Sequence, residues 1–313
     1  MKTLTILYDT DDWKYKIPYA TRSPYSGRLR RSSFISLSKI AKKHGIKLTR
    51  ASSLWYEKGI FKKAWIYDNG WKKIKNLKAD IIFDKTPLND KTLKIKKKLS
   101  REIKIFNDLF VEKLCSDKLT TYRYFRQFMP NTFLINNKKQ LKKILPKIRT
   151  QKIVIKPRAG SSAKNIKFTS KKKLLKKISK ESVVQEFIDV SGVPGFVKGV
   201  SDLRIITING KIAIASIRHA RKGLISNVSR GGREIVIDIK KIPNKVKAIV
   251  RKIDSKLSTH KPRIYTSDFV FDKNNKPWLM ELNSKPGLFG YERYPKDKKR
   301  LETNLILAVK KSI

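Results

Sequence analysis

Cysteine, histidine and, relative to its basic residues, acidic side chains are scarce in this 313-residue chain. The single cysteine, Cys115, excludes an internal disulfide framework and a zinc site built from thiolates alone. The three histidines, His44, His219 and His260, are too scattered for a multi-histidine metal centre. Asp and Glu total 25 against 75 Lys and Arg, a formal net charge of +50. No apolar run approaches the ~20 residues of a membrane span. The first residues, Met1-Lys2-Thr3-Leu4 running into Asp9-Thr10-Asp11-Asp12, lack the apolar core of a secretion signal. The expectation is a cytoplasmic protein with no membrane partner. Apolar residues at 40% and aromatics at 10% are nevertheless enough to bury a real core.

The positive charge raises the local concentration of anions, whether nucleotides, acidic peptides or nucleic acid. Most of it is lysine spread among many Ile and Asn, as a coding bias toward A and T produces. Runs such as Ser170 to Ile178 pattern as an amphipathic helix with a solvated face. Charge alone names no function. A nucleic-acid partner stays open without being favoured, and Tyr122-Arg123-Tyr124-Phe125-Arg126 reads as core plus solvated face rather than as a base-stacking platform.

Short apolar strands alternate with helices over residues 1–115. Leu4 to Tyr8, Ile46 to Thr49, Ala64 to Asp68 and Asp80 to Asp84 read as strands, and Ser33 to His44 as a helix stopped by Gly45. This predicts an α/β domain. A helix over Ser116 to Phe128 follows, N-capped by Ser116 or Asp117 and closed by Pro130. Strands then dominate: Lys152 to Pro157, Ser182 to Ile188, and a hairpin from Leu203 to Ile217 around Asn209-Gly210, a pair that favours the positive φ of a type I′ turn. With a helix over Asn244 to Leu257, residues 116–313 read as α+β.

The densest chemistry lies late in the chain. Tyr265 to Asp272 and Pro277 to Asn283 flank a polar Lys273-Asn274-Asn275-Lys276 turn. A turn centred between Asn274 and Asn275 sets Asp268 directly opposite Glu281, and period-two alternation puts Asn283 on the same face. Two facing carboxylates repel unless a cation bridges them. Two carboxylates and an amide oxygen, without His or Cys, form a hard donor set suited to Mg²⁺ or Mn²⁺. Upstream, Lys156 ends a buried strand and precedes a loop of small residues, Arg158-Ala159-Gly160-Ser161-Ser162-Ala163-Lys164, able to hold phosphate through backbone N–H groups. Asp202 and Arg204 share one strand face, Arg218 closes the paired strand, and Arg221, Lys222 and the loop Asn227-Val228-Ser229-Arg230-Gly231-Gly232 follow. Convergent cations of this kind stabilise a transferring phosphoryl group.

Taken in order, the Lys-ended strand, Gln185-Glu186-Phe187-Ile188, Asp202-x-Arg204, the Asn227 loop, Asp268 and Glu281-Leu282-Asn283-Ser284-Lys285-Pro286-Gly287 resemble the ATP-grasp superfamily. The branch resembled is that of carboxylate–amine ligases such as ribosomal protein S6 glutamate ligase and glutathione synthetase. The resemblance covers roughly residues 116–313. It implies an ATP-grasp fold of two α+β lobes clamping ATP, 116–185 the smaller and 186–313 the larger with the metal site, behind a pre-ATP-grasp-like α/β domain over 1–115. It also implies ATP and Mg²⁺ (or Mn²⁺) as cofactors. Lys118 and Lys156 would bind phosphates, and the Gln185–Ile188 hinge the adenine, with Glu186 and Phe187 using backbone atoms. Asp202 would lie near the ribose, with Asp189 as competitor because the segment Val190 to Ser201 is long. Arg204, Arg218 and Asn227 would face phosphates or an acyl intermediate, and Asp268, Glu281 and Asn283 would hold the metals.

The resemblance thus implies a ligase that activates a carboxylate as an acyl phosphate and joins it to an amine. Its partners would be small-molecule or peptide acids and amines, anionic by the chain's charge. The alternatives are a kinase of the same fold acting on a polyanionic small molecule and a basic nucleic-acid or ribosome-associated binding protein. No Ser-His-Asp or Cys-His set is visible, and Cys115 is assigned no catalytic role.

Overall fold

The computed structural model describes the chain except residues 161–164, 174–180, 222, 225, 227–231 and 289. Most of the small-residue loop after Gly160, the second half of the helix expected over 170–178, Lys222 and all but the last residue of the Asn227–Gly232 loop lie outside the described residues.

Three sheets form among the described residues. In the first, Ile46–Ser52, Lys2–Tyr8, Ile81–Asp84 and Lys104–Phe106 run parallel in that spatial order. An antiparallel flank of Ile60–Tyr67, Tyr56–Glu57 and Trp71–Leu77 adds to the Ile46–Ser52 side. Helix Pro24–Lys43 covers one face and helix Asp90–Glu102 the other. The first of these begins nine residues before the expected Ser33, because Ser23 caps it and Pro24 sits where a missing N–H costs nothing.

The helix expected from Ser116 to Phe128 starts at its Asp117 cap, runs over Lys118–Phe125 and tightens to a 3₁₀ turn over Arg126–Phe128. Leu109–Ser116 and Lys118–Phe125 are separate helices joined at Asp117, whose backbone is extended and whose side chain accepts from the N–H groups of Leu119 and Thr120 at 2.9 and 3.3 Å. The same carboxylate receives Arg158, at 2.9 Å from Nε and 2.6 Å from Nη2, which pins the second helix to the end of the Lys152–Pro157 strand.

The small second sheet is antiparallel, in the order Lys167–Ser170, Lys152–Pro157, Ser182–Glu186, Thr132–Ile135. The third runs Val197–Lys198, Gly192–Val193, Ile264–Phe271, Ser201–Ile208, Lys211–His219, Arg233–Ile237, with Pro277–Asn283 paired to Ile264–Phe271. Asn209 and Gly210 close its central hairpin with φ of 44° and 85°, as a type I′ turn requires.

One strand face has two uses. Along Ser201–Ile208, Asp202 and Arg204 point into a cleft, whereas Ile206 and Ile208 on the same face join a core with helix Pro295–Lys310 and the first sheet. That core unites Leu4, Ile6, Phe34 and Phe83 with Ile206, Ile214, Leu301 and Leu305, so the cores do not divide at residue 115. Asn107 staples the junction: its side chain donates to the carbonyls of Ile264 and Ser284 at 2.8 and 2.7 Å and accepts from Ile264 N–H at 2.6 Å. No helix among the described residues is long and apolar enough to cross a membrane.

Candidate active site

A cleft of about 440 Å³ opens between the small sheet and the third sheet. Lys156, Phe187, Ile188, Asp202, Arg204, Arg218, Asp268, Glu281 and Asn283 all line it. These positions span more than 120 residues of sequence; strand order brings them together.

The two late strands pair with Asp268 opposite Glu281 and Thr266 opposite Asn283. Nearer the turn the register differs by one from a turn centred between Asn274 and Asn275: Phe269 pairs with Leu279 and Phe271 with Pro277. A bulge at Met280 absorbs the extra residue. Met280 and Glu281 are consecutive yet both line the cleft, which a regular strand forbids.

Asp268 is also opposite Arg204 on the next strand, and Asp202 is opposite Arg218 on the one beyond. Arg204 donates twice to Asp268, Nε to Oδ1 at 2.8 Å and Nη2 to Oδ2 at 2.7 Å. Arg218 bridges the two acids, with Nη2 2.8 Å from Asp268 Oδ2 and Nε 2.7 Å from Asp202 Oδ1. Ser226 donates to the other Asp202 oxygen. Burial opposes ionisation of Asp268, but the guanidiniums of Arg204 and Arg218 outweigh it and hold the carboxyl at about 2. Burial and the neighbouring Asp268 push Asp202 upward against Arg218.

Glu281 differs. Among the described residues nothing donates a hydrogen bond to its carboxylate. Burial and the facing Asp268 raise its pKa, against the attraction of Lys118, Lys156 and Arg204. Lys156 ends its strand on the opposite wall. Burial and the nearby Lys118 ammonium lower it to about 8, with Glu281 pulling the other way. Lys118 itself does not line the cleft; its ammonium donates to the Gly160 carbonyl at 2.9 Å, within electrostatic reach of Lys156 and Glu281. Asn283 Oδ1 accepts from Lys285 N–H at 2.8 Å, while the Lys285 ammonium is tied to Glu112 and to the Thr86 carbonyl.

Two hinge side chains turn elsewhere. Gln185 donates to Thr132 Oγ1 at 2.8 Å, and the Glu186 carboxylate accepts from the N–H groups of Asn131 and Arg149 at 3.3 and 2.8 Å. Phe187 N–H reaches Thr150 Oγ1 at 3.3 Å. Ile188 N–H has no protein acceptor among the described residues. Asp189, next along, lines the cleft and meets Lys273 at 3.0 Å at the exposed surface. Asn227 lies outside the described residues.

Sequence reasoning missed the apolar wall formed by Val154, Ile166, Phe168 and Met280. Val154 was readable, being two residues before Lys156 and hence on its face. Met280 was not, because its inward position depends on the bulge.

The oxygen donors suit a hard divalent ion. Glu281 has no hydrogen-bond partner among the described residues, Asn283 offers an amide oxygen, and Asp268 Oδ1 uses one lone pair on Arg204 and keeps another. Two guanidiniums already balance the charge of Asp268. Among the described residues no cluster of three or more His, Cys, Asp or Glu side chains is arranged to hold a metal. Mg²⁺ is usually held by one or two carboxylates together with phosphates and water.

Comparison with known proteins agrees with this architecture. A RiPP-associated ATP-grasp ligase of Chryseobacterium gregarium, solved with ADP and a leader and core peptide, superposes with a TM-score of 0.61 at 13% identity, covering 99% of this chain and 97% of that one. D-alanyl-alanine synthetase A of Vibrio cholerae gives 0.63 at 13% identity, covering 99% and 98%. At these identities the likeness is one of fold. A probable alpha-L-glutamate ligase of Syntrophotalea carbinolica is 25% identical over 173 residues, 52% of each protein, so the match spans about half the length of that curated relative. The model of the RimK-like ATP-grasp domain matches residues 114–306, well over half of the chain and the whole cleft-forming region, and the chain belongs to that family.

Proposed function

We propose that the protein is an ATP- and Mg²⁺-dependent ligase that activates a carboxylate as an acyl phosphate and condenses it with an amine. The observation that carries this reading is the pairing across one hairpin of an arginine-clamped acid, Asp268, with Glu281, whose carboxylate bonds none of the described residues and faces Lys156 over the cleft. Such an arrangement wastes stability unless a cation and a polyphosphate complete it.

The apolar wall and the Ile188 N–H, which meets no acceptor among the described residues, suit a flat heteroaromatic base, an N–H donor being what a ring nitrogen needs. Lys156, Arg204 and Arg218 suit phosphate oxygens. The ribose contact falls better to Asp189 than to Asp202, whose two oxygens are committed to Arg218 and Ser226. Glu281 and Asn283, with the remaining Asp268 lone pair, would hold the metal. When bound, that metal neutralises phosphate charge and polarises the transferring group.

In such a reaction the substrate carboxylate attacks the γ-phosphorus and ADP leaves; the amine then attacks the acyl carbon, losing a proton, and phosphate departs. The chain's task is to align and neutralise, and fixing the amine beside the acyl phosphate supplies on the order of 7–11 kcal/mol. Closing the cleft excludes water from an anhydride that otherwise hydrolyses. The named activities of the structural neighbours and of the glutamate ligase relative support acids and amines of peptide or amino-acid type as substrates. Trapping tests the reading. With ATP, Mg²⁺, hydroxylamine and a panel of amino acids and acidic peptides, at least one acid should yield a hydroxamate with stoichiometric ADP. Phosphorylation of a hydroxyl instead, or salt-sensitive RNA binding without ATP turnover, refutes it.

A further inference from the structure

Thr266 stands directly opposite Asn283 on the strand pair that carries Asp268 and Glu281, and opposite Ile206 on its other side. Its side chain shares a face with Asp268, two residues on, and with Ile264, two residues back. Ile206 and Ile264 belong to the core shared with the first sheet. Thr266 thus sits where that core meets the charged cleft, and it is fully buried.

Its hydroxyl makes no hydrogen bond among the described residues. A buried hydroxyl without a partner costs stability, and valine would offer nearly the same shape with the same preference for strands. Ser267, the next residue, also has an unbonded hydroxyl, but on the opposite face, across from Leu282 and Ile205 of an apolar core. Thr266 instead faces an amide. Asn283 lines the cleft, and its Oδ1 accepts from Lys285 N–H at 2.8 Å, which identifies that atom as the oxygen. The Nδ2 group donates to none of the described residues. An unused donor and an unused acceptor therefore lie across one rung of the ladder, where opposed side chains start ~5 Å apart at Cβ. Rotation of a side chain joins them. Asp268, the other polar neighbour on this face, has its carboxylate held by Arg204 and Arg218.

We propose that Thr266 is a positioning residue for the metal site: once an ion is bound, its Oγ1 accepts from Asn283 Nδ2 and keeps the amide oxygen turned to that ion. An amide has two ends of similar shape, and only the oxygen can ligate a cation. Contacts behind a ligand commonly settle such a choice and add to metal affinity. The inference deepens the ligase reading, resting on its assignment of Asn283, but the binding it concerns requires no turnover.

Calorimetric titration with ADP, in Mg²⁺ and again in EDTA, gives the tightening that the ion contributes. Thr266→Val should cut that tightening by about tenfold. Its ADP affinity in EDTA should stay at the wild-type value, and its urea stability at or above it. Thr266→Ser, which keeps the hydroxyl, should keep most of the tightening. Asn283→Ala should lose at least as much as Thr266→Val, and combining the two should cost nothing further, since one contact is removed either way. Wild-type tightening in Thr266→Val, an equal loss in Thr266→Ser, a loss that appears equally in EDTA, or losses that add in the double variant overturns the proposal. So does a wild type that gains nothing from Mg²⁺. Failure of the ligase reading registers separately, as absence of hydroxamate and ADP release from a protein whose Mg²⁺-dependent ADP binding still requires Thr266.

Discussion

Arg204 and Asp268 stand directly opposite each other on adjacent antiparallel strands and close a two-bonded ion pair, at 2.8 and 2.7 Å, at the centre of the cleft. Arg218 adds a third bond to the same carboxylate.

Removing that carboxylate charge strands two guanidiniums. Asp268→Asn should lower unfolding stability by about 3 kcal/mol, the low end for breaking a buried pair because one side opens to the cleft. Urea denaturation checks it; a loss below about 1 kcal/mol would mean that solvent, not Asp268, balances Arg204 and Arg218.

Glu281→Gln should separate stability from activity. Because no described group bonds the Glu281 carboxylate and Asp268 repels it, the variant should be as stable as wild type or more so. Acid-dependent ADP release should fall by at least about 100-fold. Wild-type-like turnover in this variant would remove the metal assignment.

Lys85 gives a pH signature. Its pKa is lowered to about 7 in the folded protein, chiefly by burial, whereas an unfolded lysine titrates near 10.4. Between these values the unfolded chain binds the extra proton, so stability rises with pH across that window and the burial penalty is complete below it. Lys85→Met should therefore exceed wild type in stability most at pH 6.5, with the gap narrowing by pH 9 in paired urea titrations. A gap that widens with pH contradicts the assignment.

Cys115 is buried in the core beneath the third sheet, and burial raises its thiol pKa. A thiol-specific disulfide reagent should label it only on unfolding, with a rate that tracks denaturant. Rapid labelling of native protein would show that the helix Leu109–Ser116 opens locally.

The hairpin that carries Asp268 and Glu281 was legible because its information is short in range. Alternation and a polar turn put Asp268 against Glu281, even though the turn register is displaced by one residue and the Met280 bulge restores it. Asn209-Gly210 and the Asp117 cap were legible for the same reason, each being decided by φ or by a side-chain oxygen within three residues. The ion pair that ties Asp117 to Arg158 was not, since it joins residues far apart along the chain. The early start of helix Pro24–Lys43 was also hidden: Arg28, Arg30, Arg31 and the serines around them show no apolar stripe on their own.

From residue order alone came the strand faces, the tight turns, the preference for hard oxygen ligands and the wealth of cations. Only the tertiary structure decided which acid each arginine holds, leaving Glu281 unbonded among the described residues while Asp268 has two arginines. That choice follows from which distant strands become neighbours and how far water is expelled between them. Coulomb and desolvation energies depend on separation in space, and the chain order does not contain that separation.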